Sequence, residues 1–227
     1  AGWAVRRKTN HFNAYDAVAA DFAKLLAIDP WLINPYHERC GQVNFRDRAG
    51  EECLASNVSA LLERIRAKYL EYGIKEEPYV VVKADAGTYG MGIMIAKSVD
   101  DVVDLNRKQR NKMAVVKEGL EVHEVILQEG VHTHERVEAA VGEPVVYMID
   151  RHVVGGFYRV HTERGIDDNL NAPGMQFVPI PFEDCCIQPD FTAAPGTGAN
   201  RLYGYGVIAR LALVAAAVEL EQTALAR

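Results

Sequence analysis

Apolar residues recur along this chain with two periods, one helical and one extended, and the alternation between them sets out the elements. Over Asn13–Ile28 the apolar positions Val18, Phe22, Leu25 and Leu26 fall on one helical face, with Asn13 placed to cap the helix and Asp29-Pro30 to stop it. A second helix is predicted over Glu51–Tyr72 from Val58, Leu61, Leu62, Ile65 and Tyr69, with Gly73 as its C-terminal stop. The pattern then changes. Tyr79–Val82 is a β-branched run closed by Lys83, and after Gly87, Gly90 and Gly92 the apolar pattern resumes at Ile93–Ile95, which predicts an antiparallel hairpin over 79–96. Ser98-Val-Asp-Asp101 has the form of a capping box for a helix through about Arg110.

Glu124–Leu127 reads as a strand leading into Gln128-Glu129-Gly130-Val131, and Val145–Ile149 with His152–Val160 reads as a hairpin turning at Asp150-Arg151. Residues 30–50 are turn-rich, with a short strand expected near Gln42–Phe45. Residues 161–204 read as a long irregular stretch, and Gly206–Ala226 as a closing helix. Strands grouped as hairpins, with helices between the groups, predict an α+β fold rather than a doubly wound parallel sheet.

Composition narrows the function classes. The chain has 227 residues, 49% of them apolar, enough for one large domain or two small ones. A net charge of −6 disfavours a general nucleic-acid binder, which needs a basic face. Arg6-Arg7-Lys8 and the cluster from Arg107 to Lys112 read as solvated surface. The cysteines, Cys40, Cys53, Cys185 and Cys186, contain no C-x-x-C pair, which predicts reduced thiols and a cytoplasmic location. The longest uninterrupted apolar run, Leu211–Val218, is eight residues, so no membrane span is expected. The chain opens on Ala1 rather than Met, which suggests the later part of a longer protein or a processed one.

The most informative chemistry lies in the 79–96 hairpin. Glycines at that density let backbone N–H groups approach a ligand, and a strand-end lysine beside them suits phosphate oxygens. Walker A places its lysine after the glycines, and the dinucleotide turn opens a helix; neither fits a lysine followed by a glycine loop and a returning strand. A phosphate-covering flap and a plain glycine-rich hairpin with a solvated lysine both remain open on these residues. His132-Thr-His134 lacks a third ligand at convincing spacing, and Cys185-Cys186 reads as inert.

Four pieces stand in order: Lys83 with its glycine loop, the strand ending at Gln128-Glu129-Gly130, the hairpin ending at Arg159, and Asp168-Asn-Leu-Asn171. Their order resembles the ATP-grasp superfamily, in which two α+β subdomains with antiparallel sheets grip ATP between them. The Arg159 to Asn169-Leu170 spacing is also similar to glutathione synthetase. The wording of nearly the whole chain, notably KADAGTYGMGIM, VILQEG, MIDRHVVGGFYRVH and NLNAPG, resembles a bacterial family of glutamate–cysteine ligases.

The resemblance implies ATP and Mg²⁺ as cofactors and glutamate and cysteine as substrates, joined through γ-glutamyl phosphate, with no nucleic acid or membrane partner and room for a homo-oligomer. It implies phosphate binding by Lys83 with Gly87, Thr88, Tyr89, Gly90, Met91 and Gly92, and adenine binding by the backbone of Gln128, Glu129, Gly130 and Val131. Arg159, with Lys83, would stabilise the transferring phosphoryl group, and Asp168, Asn169 and Asn171 would ligate the metal. The subdomain division falls at 1–128 and 129–227. Two departures stand out: no late Glu-x-Asn follows Gly174, and Arg46 or Arg48 stands where a second phosphate lysine belongs. The alternatives are a glutathione-synthetase-like ligase acting on another acid and amine, and a nucleotide-binding regulatory module without catalysis.

Overall fold

The computed structural model describes residues 6–87, 92–114, 121–180 and 201–225, and the chain divides into two compact units, Ala1–Val131 and His132–Arg227. The first contains α1 (Lys8–Leu26), a 3-10 turn at Pro30–Leu32, β1 (His37–Gly41), α2 (Glu51–Tyr72), β2 (Val80–Ala84), β3 (Ile93–Ala96), α3 (Asp100–Val103), α4 (Arg107–Ala114) and β4 (Glu124–Glu129). Its sheet has the order β1-β4-β2-β3 and is antiparallel throughout.

Alternation along β2 sorts the two faces of that sheet. Val80, Val82 and Ala84 are buried while Val81 and Lys83 are less so, because successive side chains point to opposite faces. On the first face Val80, Val82, Ala84, Val125, Leu127 and Cys40 form one core with Leu54, Val58, Leu61, Leu62 and Ile65 of α2. Each such aliphatic side chain contributes about 1.5–3 kcal/mol by leaving water, so this face holds α2 against the sheet. Gly73 ends α2 in the left-handed region, at φ 67°, where glycine carries no Cβ penalty.

Several expectations shift. α1 begins at Lys8, with Arg7 at its N-cap, rather than at an Asn13 cap. The strand expected near Gln42–Phe45 lies earlier, at His37–Gly41, and Asn44 makes only an isolated bridge to Ala49. The helix expected from Ser98 to Arg110 is two pieces. Asp101 Oδ2 accepts from the Lys97 and Ser98 amides at 2.8 and 2.9 Å, and after α3 a reciprocal box restarts the helix. There the Gln109 amide donates to Asn106 Oδ1 at 3.0 Å and the Asn106 amide to Gln109 Oε1 at 2.9 Å.

The second unit contains β5 (Arg136–Val137), β6 (Ala140–Ile149), β7 (His152–His161), β8 (Gln176–Pro179) and α5 (Arg201–Leu225), with an antiparallel sheet in the order β5-β6-β7-β8. The β6–β7 hairpin turns at Asp150-Arg151, and its register shifts between Tyr147 and Met148. β8 lies inside the stretch expected to be irregular; Cys185 and Cys186 fall outside the described residues. α5 packs against β6. By length and apolar composition α5 could also cross a bilayer, a test that core helices of globular proteins pass too. The eight-residue run understates it because Arg210 and Glu219 bound that run inside a longer, mostly apolar helix.

Candidate functional site

Lys83 stands one residue before the end of β2, opposite Ile93 of β3 and Ile126 of β4. Arg39 of β1 is also opposite Ile126, so Lys83, Ile126 and Arg39 line up across the second face of the sheet, away from α2. Glu124, two residues from Ile126, shares that face. It takes ion pairs from Arg39 and, at 2.9 Å, from Arg7. Gly87, at φ 87°, and Gly92, at φ 63°, flank the loop in the left-handed region. Thr88, Tyr89, Gly90 and Met91 lie outside the described residues.

The strand end at the base of this loop is held by Thr9 and by Lys8, a residue expected to be solvated surface. Lys8 Nζ donates to the carbonyls of Ala84 at 2.7 Å and Gly87 at 3.0 Å, with those of Asp85 and Ala86 at 3.4 Å. Asp85 is fully buried. Its Oδ1 accepts from the Thr9 amide and hydroxyl, both at 2.8 Å, and the Lys8 amide donates to its carbonyl at 2.8 Å. Asp85 Oδ2 is buried without a hydrogen bond, with Arg39 Nε 4.0 Å away. Burial pulls the Lys8 ammonium below its usual pKa, and the Asp85 charge opposes that shift. The signal was local: an aspartate directly after a buried strand, in KADAG.

The hinge segment is placed differently from the expectation. β4 is a central strand between β1 and β2, and Gln128, Glu129 and Gly130 are buried. The Glu129 amide donates to the Tyr36 carbonyl and the Gly130 amide to the Tyr79 carbonyl, both at 2.8 Å. Of the four residues expected to offer their backbone to adenine, only Val131, 61% exposed, reaches the surface, and its carbonyl accepts from the Tyr79 hydroxyl at 2.9 Å. Gly130 has a packing reason to be glycine: a Cβ there would lie 2.0 Å from the Tyr79 ring.

The Glu129 side chain is itself occupied. Its Oε2 accepts from Trp31 Nε1 and the Tyr36 amide, both at 2.9 Å. Burial raises its pKa above the ordinary glutamate value, and the hydrogen bonds from Tyr36 and Trp31 oppose the rise.

Arg159 belongs to the second unit, on β7, opposite Glu143 of β6 and Phe177 of β8. Its Nη1 donates to Glu143 Oε2 at 2.9 Å, while its Nε is buried with no hydrogen-bond partner among the described residues. Phe157, two residues earlier, packs edge-on against Phe177 at 5.0 Å and near Tyr147 at 5.7 Å. Arg159 is therefore a cation at one end of an aromatic row. His161, two residues later on the same face, is buried; its Nε2 is 3.0 Å from the Pro173 carbonyl and its ring abuts Gly174. That contact brings the loop after Leu170 to the Arg159 face of this sheet.

Asp168, Asn169 and Asn171 are exposed on that loop. Asp168 Oδ2 accepts from the Gly165 amide at 2.8 Å, and Asn169 Oδ1 accepts from the Asn171 amide at 2.9 Å. No group of three or more His, Cys, Asp or Glu side chains disposed to hold a metal ion occurs among the described residues. Oxygen donors of this kind, a carboxylate and two amides, are ones a magnesium ion takes alongside phosphate and water.

Residues 1–220 match the profile of a protein family described as Glutamate-cysteine ligase. The chain is also similar to a crystal structure, at 1.90 Å resolution, of a candidate gamma-glutamylcysteine synthetase from Methylobacillus flagellatus KT. The two share 65% sequence identity with a TM-score of 0.86, over 98% of this chain and 53% of the other, so this chain spans about half the length of that protein. No curated protein matches the chain.

Proposed function

Because the chain belongs to the glutamate–cysteine ligase family, we propose that it takes part in an ATP-dependent carboxylate–amine ligation, joining the γ-carboxylate of glutamate to the amino group of cysteine. The match over residues 1–220 carries this reading. An ATP-grasp architecture is supported by two α+β units, each built on a four-stranded antiparallel sheet.

In this reading the glutamate γ-carboxylate attacks the γ-phosphorus of ATP, ADP leaves, and γ-glutamyl phosphate forms. The cysteine amine then attacks the acyl carbon, phosphate leaves with the bonding pair, and the amine gives up a proton. The first step brings two anions together and the second expels a phosphate anion, so the demand on the protein is positive charge and positioning. Lys83 neutralises phosphate oxygens as a point charge. Arg159, whose planar fork spans two oxygens, follows the phosphoryl group in transfer. Asp168, with Asn169 and Asn171, would hold magnesium, which when bound offsets phosphate charge. Such chemistry belongs in a cytoplasm that keeps thiols reduced, and Cys40 and Cys53 are free thiols.

The test is incubation of the chain with ATP, magnesium, glutamate and cysteine. Equal amounts of ADP, phosphate and γ-glutamylcysteine are expected, with hydroxylamine trapping a glutamyl hydroxamate when cysteine is left out. ATP binding without either product would assign the chain to nucleotide-dependent regulation, and a different acid or amine consumed in its place would assign another ligase.

A further inference from the structure

Four consecutive carbonyls, from Ala84 to Gly87, converge on one ammonium. Lys8 Nζ takes those of Ala84 and Gly87 at 2.7 and 3.0 Å and shares those of Asp85 and Ala86 at 3.4 Å. An ammonium has three protons, so Lys8 is fully occupied by the backbone of this one segment.

A trans peptide plane holds its C=O and N–H pointing in opposite directions. Carbonyls drawn toward Lys8 therefore send the amides that follow them the other way. The first amide shows the rule: that of Asp85, following the Ala84 carbonyl, donates across the sheet to the Glu124 carbonyl at 3.0 Å. The next two, of Ala86 and Gly87, lie beyond the end of β2 and donate to no described residue. Both residues are partly exposed, so the segment meets solvent instead of lying shut in the core.

Gly87 is what gives Lys8 its importance. At φ 87° it stands in the left-handed region, and a residue without Cβ lets the peptides on either side of it turn over at little cost. A turned peptide would aim a carbonyl where an N–H now points, and a carbonyl oxygen repels an anion. The bonds from Lys8 to the Ala86 and Gly87 carbonyls hold both flanking peptides in one sense. Successive N–H groups beside a left-handed residue form a concave seat for phosphate oxygens.

We propose that Lys8 is a positioning residue for nucleotide binding: without touching the nucleotide, it turns the amides of Ala86 and Gly87 toward a polyphosphate. The ligase reading enters only in naming that polyphosphate, which there is ATP. Lys8 thus supplies its charge from behind the segment, 76 residues before Ala84 in sequence, while two neutral donors face the anion.

The variant is Lys8→Met, which keeps the aliphatic stem and removes the ammonium. Calorimetric titration with a non-hydrolysable ATP analogue, without glutamate or cysteine, should show affinity lowered about 10-fold or more, the weight of one hydrogen bond to a charged group. In turnover the KM for ATP should rise by the same factor, with the KM for glutamate and for cysteine within about 2-fold of wild type. Lys68→Met is the control. It removes another lysine, bonded to Asp29 from near the C-terminal end of α2, and should leave nucleotide affinity unchanged. Where Lys8→Met does not fold, the wild-type chain decides: the amide resonances of Ala86 and Gly87 should shift on addition of inorganic triphosphate, and that of Asp85, already bonded to Glu124, far less.

Unchanged nucleotide affinity in folded Lys8→Met, an equal loss in Lys68→Met, unmoved Ala86 and Gly87 resonances, or no nucleotide binding by the wild type would each overturn the proposal. The ligase assay is read separately. Product formed by Lys8→Met with an unchanged KM for ATP makes Lys8 a strut of the fold and leaves the ligase reading standing. Nucleotide bound as described, with no product from any acid and amine, keeps the positioning role and removes the ligase reading.

Discussion

Substituting Gly130→Ala asks whether the glycine in Gln-Glu-Gly serves the fold or a ligand. The added Cβ would meet three atoms of the Tyr79 ring at 2.0, 2.2 and 2.3 Å, so the ring must retreat by roughly 1.5 Å to reach ordinary contact. It has little room: Tyr79 is 5% exposed and its hydroxyl is tied to the Val131 carbonyl at 2.9 Å. Overpacking of this kind costs about 1–3 kcal/mol, and losing the tyrosine hydrogen bond adds about 1 kcal/mol. The alanine regains about 0.4–1 kcal/mol by restricting the unfolded chain, which leaves a net loss of about 1–3.5 kcal/mol.

Urea unfolding should show a lower midpoint at unchanged slope. In a Tyr79→Leu background the same substitution should cost under about 1 kcal/mol, because the clash is gone. Gly41→Ala is the control: a Cβ there meets nothing within 4 Å, and its effect should stay within about 0.5 kcal/mol. An unchanged midpoint in Gly130→Ala would refute the packing argument and return Gly130 to the ligand.

Arg159→Lys keeps the charge and loses the fork; turnover should fall about 10²-fold or more while ATP affinity, followed by nucleotide titration, changes much less. Glu129→Gln tests the buried carboxylate. Its folded pKa is raised, so the protonated form's stabilisation is complete below the unfolded value and is lost as pH rises through the folded one. The glutamine variant should therefore melt higher than wild type near neutral pH, and the difference should close as pH falls toward 4, as followed by thermal melts. Burial, with the neighbouring Cys53 adding to it, pushes the Cys40 thiol up to about 12, whereas Cys53 is exposed. In a Cys185→Ser, Cys186→Ser background, disulfide reagents at pH 8 should titrate one thiol quickly and the second only on unfolding.

What was legible in the sequence was whatever rests on a local period. α2 matches its predicted limits because Val58, Leu61, Ile65 and Tyr69 repeat at helical spacing between a turn-rich stretch and Gly73, and the β6–β7 hairpin turns where Asp150-Arg151 predicted. β1 was not legible: His-Glu-Arg-Cys-Gly has no apolar alternation, and only its pairing with β4 makes it a strand. The break after α3 was written in Asn106 and Gln109 but hidden behind the earlier Ser98 signal. At the candidate site, motif order pointed to Lys83 and Arg159, which lie in different units, and to the backbone of Gln128 and Glu129, whose burial on a central strand no local pattern announced.

The bonds from Lys8 and Thr9 to the end of β2 also govern the order in which the first unit can be completed. Thr9 and Asp85 are 76 residues apart, so at synthesis rates of about 5–20 residues per second the partner emerges roughly 4–15 s after the helix that needs it. β1 waits longer still, since its neighbour β4 begins at Glu124. Through that interval α1 can meet only the Pro30–Leu32 turn and β1, which follow it closely, and a helix of 19 residues with so few partners is marginal in water. A ribosome-bound chain stalled short of Asp85 should therefore expose residues 8–30 to protease, and a chain released past β4 should shield them.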